Sequence, residues 1–239
     1  MIFHKFFGRN TLFYPGCLLK FLLPELRDKY SQILEKIGLD FIELEKIELC
    51  CGSPILSAGY PAEFKKVATK NLELFNKYGV EKIITACPAC YRTLKFEYPL
   101  VASSNIQVEH ISQTILRAME EGKLKYKSRG GVVTYHDPCH LGRYSGIYEE
   151  PRQILRKLGY KVVEMKLNRE YSFCCGGGGG VKANYPKLAL EIAKDRVLQA
   201  MEVGAELLVT TCPMCYISLK GASEELNNKI KVVELSEIL

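Results

Sequence analysis

The 239-residue sequence has no tryptophan and no apolar run approaching the roughly 18 residues that a membrane-spanning helix requires. Residues 1–21 are moderately apolar, but His4, Lys5, Arg9 and Lys20 interrupt them and Pro15-Gly16 would break a helix. No small-residue cleavage site follows, so a secretory leader is not expected. A cytoplasmic location is expected instead, with any membrane association supplied by a partner subunit. A basic tract, zinc-finger spacing and an aromatic RNA-binding signature are all missing, which removes nucleic acid as an expected partner. Charge of one sign is also scarce: 33 basic and 27 acidic side chains leave a net +6 with both signs interspersed, the pattern of a solvated surface. With 47% hydrophobic and 25% charged residues, disordered and collagen-like chains are excluded.

What the sequence has in excess is cysteine, ten in all. In a reducing compartment such thiols serve metals or redox chemistry more often than disulfides. They fall into two sets of five, C-x32-CC-x35-C-x2-C from Cys17 and C-x34-CC-x36-C-x2-C from Cys139, so the chain is a tandem repeat. The offset between copies is 122 residues at the first cysteine, 124 at the double cysteine and 125 at the last pair. The neighbours repeat as well: Cys50-Cys51-Gly52 matches Cys174-Cys175-Gly176, and Cys87-Pro88-Ala89-Cys90-Tyr91 matches Cys212-Pro213-Met214-Cys215-Tyr216.

Hydrophobic patterning places these motifs. Residues 11–14 and 132–135 read as first strands, 41–44 and 161–165 as second strands, and 82–85 and 206–210 as third strands. Amphipathic helices are expected over 25–37, 62–78, 149–158 and 187–203, each followed by glycine. Alternating strands and helices imply two α/β, Rossmann-like domains with parallel sheets, 1–124 and 125–239, divided in the polar stretch 120–130. Each cysteine motif then follows a strand, at the carboxyl ends where open parallel sheets bind ligands.

Several chemistries compete for five such thiols. Adjacent cysteines are awkward to join as disulfides, and a thioredoxin-like Cys-x-x-Cys leaves six cysteines idle. A structural zinc needs four ligands, usually from two Cys-x2-4-Cys knuckles, and each half has one knuckle. An iron–sulfur cluster can use crowded thiolates drawn from three loops. A zinc-stabilised module without redox activity stays the alternative of another class.

The spacing, together with His136-Asp137-Pro138-Cys139-His140-Leu141-Gly142-Arg143 and Cys174-Cys175-Gly176-Gly177, resembles the cysteine-rich "CCG" domain in two copies. It is similar to the B-type subunit of heterodisulfide reductase and to the C-terminal part of the D-type one. It also resembles the iron–sulfur subunits of glycolate oxidase, lactate-utilisation and anaerobic glycerol-3-phosphate dehydrogenase complexes. The resemblance implies a noncubane [4Fe–4S] cluster on Cys17, Cys50, Cys51, Cys87 and Cys90, and a second on Cys139, Cys174, Cys175, Cys212 and Cys215. It further implies an oxidoreductase subunit that reduces a small disulfide or relays electrons from a flavin-dependent dehydrogenase. In the first case each cluster would take one product thiolate and supply one electron. The C-x2-C-x2-C-x3-C-P segment of ferredoxin-like domains is missing, and Gly176, Gly178 and Val181 fail the G-x-G-x-x-G fingerprint. With no flavin or nicotinamide site expected, the electron partner would be a ferredoxin-like, flavoprotein or cytochrome b-type subunit.

Other residues carry weaker expectations. The five glycines 176–180 suit close backbone approach to a cofactor, with Gly176, Gly177 and Gly178 as cofactor-binding candidates. The first copy reads Gly52-Ser53-Pro54, so the second site is expected to be the more open. His136 and His140 are expected to be hydrogen-bonded loop residues, with proton donation or metal ligation as the other reading. Arg143 and Lys182 could attract an anion or lie in a solvated surface, and Tyr91 and Tyr216 are expected to pack their helices.

Overall fold

The computed structural model describes residues 9–44 and 47–239; residues 1–8, which include His4 and Lys5, lie outside the described residues. The first half opens with β1 (Asn10–Phe13), α1 (Gly16–Phe21), α2 (Pro24–Lys36), α3 (Ser53–Ser57) and α4 (Pro61–Lys77). It continues through β2 (Val80–Thr85), α5 (Pro88–Arg92), a π turn over Thr93–Glu97, α6 (Tyr98–Val101), β3 (Gln107–His110) and α7 (Ile111–Glu120). The second half comprises β4 (Val132–Tyr135), α8 (Glu149–Lys157), β5 (Lys161–Val162), α9 (Val181–Asn184), α10 (Pro186–Glu202), β6 (Leu207–Thr210), α11 (Pro213–Glu225) and β7 (Lys231–Glu234). Proline begins α2, α4, α5, α10 and α11, where its missing N–H is not needed and its fixed φ suits the first turn.

Both sheets are parallel throughout, as the strand–helix alternation implies. The second runs β5-β4-β6-β7 and the first β1-β2-β3. The expected second strand of the first half reduces to one bridge between Leu12 and Ile42. Ile42 exchanges hydrogen bonds with Thr11 and Phe13, after which Ile47 and Glu48 N–H donate to the Leu44 carbonyl and turn the chain away. Its counterpart, expected over 161–165, pairs only through Lys161 and Val162. With Ile42 in β5's place the two sheets share one order, second-first-third-fourth, and the switch point lies beside β1 and β4.

Fourth strands β3 and β7 were not among the expected elements. Each is four residues long, Gln-Val-Glu-His and Lys-Val-Val-Glu, too short for periodicity to show. Each ends in an N-cap with a capping box, His110 before α7 and Glu234 before Leu235-Ser236-Glu237.

The halves share a core. One apolar cluster runs from Phe13, Leu19, Tyr30 and Ile115 to Val133, Ile154, Leu219 and Leu235. A second, around Leu12, Phe64, Phe75 and Tyr91, takes in Leu141 and Ile147 from the loop after Cys139. Across the junction the Tyr30 hydroxyl donates to the buried Glu234 carboxylate at 2.5 Å. The described residues include no helix long and apolar enough to cross a membrane.

Candidate metal centres

In the first half Cys17 opens α1 behind β1, Cys50 and Cys51 precede α3, and Cys87 and Cys90 open α5 behind β2. The structure brings all five together. Their side chains touch in a continuous series, Cys17 to Cys50, Cys50 to Cys51, Cys51 to Cys90 and Cys90 to Cys87. Contact with Cys17 and Cys51 pulls the Cys50 thiol far down, and contact with Cys90 lowers Cys87. Cys17 is pushed up by Cys50 and by burial, and Cys51 and Cys90 rise with their own neighbours. Touching thiols push one another's titration apart, which favours the thiolate form at Cys50 and Cys87.

The second half repeats the arrangement with a difference. Cys174 touches Cys175, Cys175 touches Cys215, and Cys215 touches Cys212. Cys139 stands apart from that series, close enough to Cys175 and Cys212 to be pushed up by their charge after the larger effect of burial. His136 completes the group: its ring, Cys175 Sγ and Cys215 Sγ place ligand atoms within 4.8 Å of one another. Cys174 is the one exposed thiol of the ten, while Cys17, Cys50 and Cys139 are half-buried and the rest buried.

Backbone donors line both sites. Gly52 N–H meets Cys50 Sγ at 3.5 Å, Gly176 N–H meets Cys174 Sγ at 3.3 Å, and Gly177 N–H meets Cys175 Sγ at 3.4 Å. Gly52 and Gly176 have φ of +84° and +74°, and a Cβ there would meet the Phe64 ring at 2.7 Å and the Ala189 carbonyl oxygen at 2.3 Å. Phe64 and Ala189 are equivalent positions on α4 and α10. The glycine of each Cys-Cys-Gly therefore turns the chain left-handed against its long helix and aims an N–H at sulfur. Gly178 takes no part in this: it is exposed, with nothing within 4 Å of a Cβ position.

Side chains not singled out in the sequence hold these loops. Asn71 on α4 is fully buried and donates to the Cys50 carbonyl at 3.0 Å and to Tyr98 Oη at 2.8 Å. Arg196, its counterpart on α10, is equally buried. It donates to His136 Nδ1 at 3.1 Å, to the Leu167 carbonyl at 2.7 Å, to Gln199 at 2.8 Å and to Ser172 Oγ at 3.1 Å. Burial lowers Arg196 to about 10, still a cation at neutral pH. Arg152 is buried too and grips both Asp137 oxygens and both Glu164 oxygens at 2.6–2.9 Å. A polar residue in the apolar stripe of a helix, such as Asn71 beside Phe64, Ala68 and Phe75, was the available sequence signal.

The remaining candidates have clear places. Arg143 donates to the carbonyls of Glu170 at 3.0 Å and Ser172 at 2.9 Å, which commits it to the loop leading to Cys174. Lys182 is exposed on α9. Tyr91 and Tyr216 are buried in their helices and accept from Lys95 at 2.7 Å and Lys220 at 3.3 Å. His140 stacks edge-on against Tyr144 at 5.5 Å; burial and the nearby Arg92 keep its ring below the usual histidine range. Arg92, on the helix of Cys87 and Cys90, lies 5.3 Å over Tyr144 in the loop after Cys139 and ties the two sites together.

Two α/β sheets, each gathering five thiols beyond its strand ends, define a tandem thiol-site protein. The model of the CCG cysteine-rich domain matches residues 11–95 and 133–220, and the chain belongs to that family in two copies. The D-type subunit of the dihydromethanophenazine:CoB–CoM heterodisulfide reductase of Methanosarcina acetivorans is 36% identical over 233 residues, covering 95% of this chain and 57% of that protein. EtfAB:quinone oxidoreductase of Syntrophomonas wolfei is 35% identical over 245 residues, covering 95% of this chain and 34% of its own length. The chain thus spans little more than half of the first relative and a third of the second. A hypothetical protein from Helicobacter pylori shares the fold at TM-score 0.66 and 12% identity, over 97% of this chain and 48% of that one.

Proposed function

We propose that the chain is an iron–sulfur redox subunit of the heterodisulfide reductase type, built from units 1–124 and 125–239. Cys17, Cys50, Cys51, Cys87 and Cys90 would hold one noncubane [4Fe–4S] cluster. Cys139, Cys174, Cys175, Cys212 and Cys215 would hold the other. The observation that carries this reading is the set of five converging thiols at each sheet's carboxyl end, one more than zinc requires. Such soft, crowded donors fit an iron–sulfur group. When bound, such clusters supply one-electron transfer.

The residues of the chain do the rest. The amides of Gly52, Gly176 and Gly177 offset charge on sulfur, and burial of six of the ten cysteines limits water around them. Exposed Cys174 and the exposed Gly178, Gly179 and Gly180 leave the second site the more approachable for a small disulfide or thiol. The similarity to the D-type heterodisulfide reductase protein supports disulfide reduction in an oxidoreductase complex, with electrons from a ferredoxin-like, flavoprotein or cytochrome b-type partner. Electron relay between a flavoprotein and a quinone is a second reading, favoured by the similarity to EtfAB:quinone oxidoreductase.

Metal and sulfide analysis of anaerobically purified protein tests the proposal. About eight irons per chain, four in each of two [4Fe–4S] clusters, are expected together with acid-labile sulfide. Zinc without sulfide would overturn it. A paramagnetic species that appears on oxidation and changes when thiol is added supports disulfide chemistry over relay.

A further inference from the structure

The two sites differ most at one position. Tyr14 and His136 are equivalent, each three residues before the first cysteine of its half. Tyr14 donates its hydroxyl to the Leu49 carbonyl at 2.5 Å and so offers nothing to sulfur. His136 is buried, one of its ring nitrogens lies within 4.8 Å of Cys175 Sγ and of Cys215 Sγ, and its Nδ1 lies 3.1 Å from Arg196 Nε. A guanidinium only donates hydrogen bonds, so Nδ1 must accept and carry a lone pair. In a neutral imidazole the proton then sits on Nε2.

We propose that Arg196 fixes His136 as a hydrogen-bond donor, Nε2–H to Cys175 sulfur, rather than a metal ligand, and that this makes the two metal centres electronically unequal. A ligating Nε2 would need its lone pair free and the proton on Nδ1, where it would face the Arg196 N–H. A hydrogen bond to a ligand sulfur withdraws negative charge from the cluster and raises its reduction potential. The first site has no side-chain equivalent at position 14, so the second centre has the higher potential of the two. Arg196 is the positioning residue. Three of its four other donors are engaged by Leu167, Gln199 and Ser172, which keeps the guanidinium from turning away from His136.

The proposal rests on the cluster reading for its redox consequence and on the protein alone for the hydrogen bond, and the tests separate the two. In the full chain reconstituted anaerobically with iron and sulfide, a titration followed by electron paramagnetic resonance should give two midpoints. His136→Phe should lower the higher midpoint, leave the other in place and keep the iron content. Unchanged midpoints, or loss of half the iron, would overturn the proposal. With nitrogen-15 histidine in the wild-type chain, pulsed resonance should show only weak nitrogen coupling, whereas the strong coupling of a bonded nitrogen makes His136 a ligand. If His136→Phe fails to fold, nitrogen-15 shifts of the metal-free wild-type chain still decide. The Nε2–H tautomer is expected, and Nδ1–H would sink the idea even where no cluster assembles.

Discussion

Asn71 and Arg196 occupy the same position on the two long helices, 125 residues apart, and each reaches inward to fix a cysteine loop. Asn71 holds the backbone at Cys50; Arg196 holds the ring that touches Cys175. One helix position thus does one task in both halves with different chemistry.

Asn71→Leu leaves the Cys50 carbonyl and Tyr98 hydroxyl without their shared donor in a buried site. A loss of roughly 1–3 kcal/mol in chemical denaturation is expected. A variant as stable as the parent would show that the loop does not depend on this side chain.

Gly176 and Gly178 should respond oppositely to alanine. At Gly176 the left-handed φ and a Cβ 2.3 Å from the Ala189 carbonyl oxygen make Gly176→Ala costly, roughly 2–4 kcal/mol. Gly178→Ala meets open space and should stay within about 0.5 kcal/mol of the parent. Equal melting temperatures for the two variants would contradict the geometry.

Arg152 neutralises buried Asp137 while also holding Glu164, and Asp137 lies two residues before Cys139. Arg152→Met removes one side of a buried ion pair and should cost about 3–5 kcal/mol. The measurement is the unfolding midpoint in urea at fixed pH, and a change below about 1 kcal/mol would rule out this role.

His110 and Glu234, equivalent caps in the two halves, should make opposing contributions to pH dependence. Burial lowers His110 from 6.5 to about 3, so the unfolded chain takes up a proton there that the folded one refuses. Its stabilising contribution is complete above pH 6.5 and is lost as pH falls towards 3. Burial raises Glu234 from 4.5 to about 7, against the hydrogen bonds from Ser236 and Tyr30 and with a smaller push from Glu237. Its contribution is present below pH 4.5 and is lost as pH rises through 7. The two slopes oppose each other between pH 4.5 and 6.5. In Glu234→Gln the slope of stability against pH should therefore be more positive than in the parent there, by up to about 1.4 kcal/mol per unit. In His110→Asn, which keeps a capping acceptor, the slope should be more negative than in the parent. Parallel pH profiles in both variants would refute the assignment.

The cysteine spacing alone established the repeat, because five cysteines recur in the same order at nearly constant separation. Helices α2, α4, α8 and α10 were legible for a local reason, since a periodic apolar stripe and a glycine at the stop are properties of neighbouring residues; α7 was not among the expected elements. The fourth strands were not legible, since Gln107–His110 and Lys231–Glu234 become strands only through pairing with β2 and β6. Nor could residues 41–44 be told from a true strand, because a turn at Leu44 ends the pairing after Ile42.

Which thiols touch, and what else touches them, was decided by packing. Cys139 carries the same sequence signature as Cys17, yet Cys17 joins its series and Cys139 stands off. His136 and His140 were alike on paper. The fold buries the first between Arg196 and Cys175 and leaves the second half-buried beside Tyr144, near Arg92. Sequence determined the thiols, their number and their twofold repetition, which depend on covalent spacing. Only the tertiary structure decided the asymmetry of the two sites, because a side chain's hydrogen-bond role is set by the partners that burial brings to it.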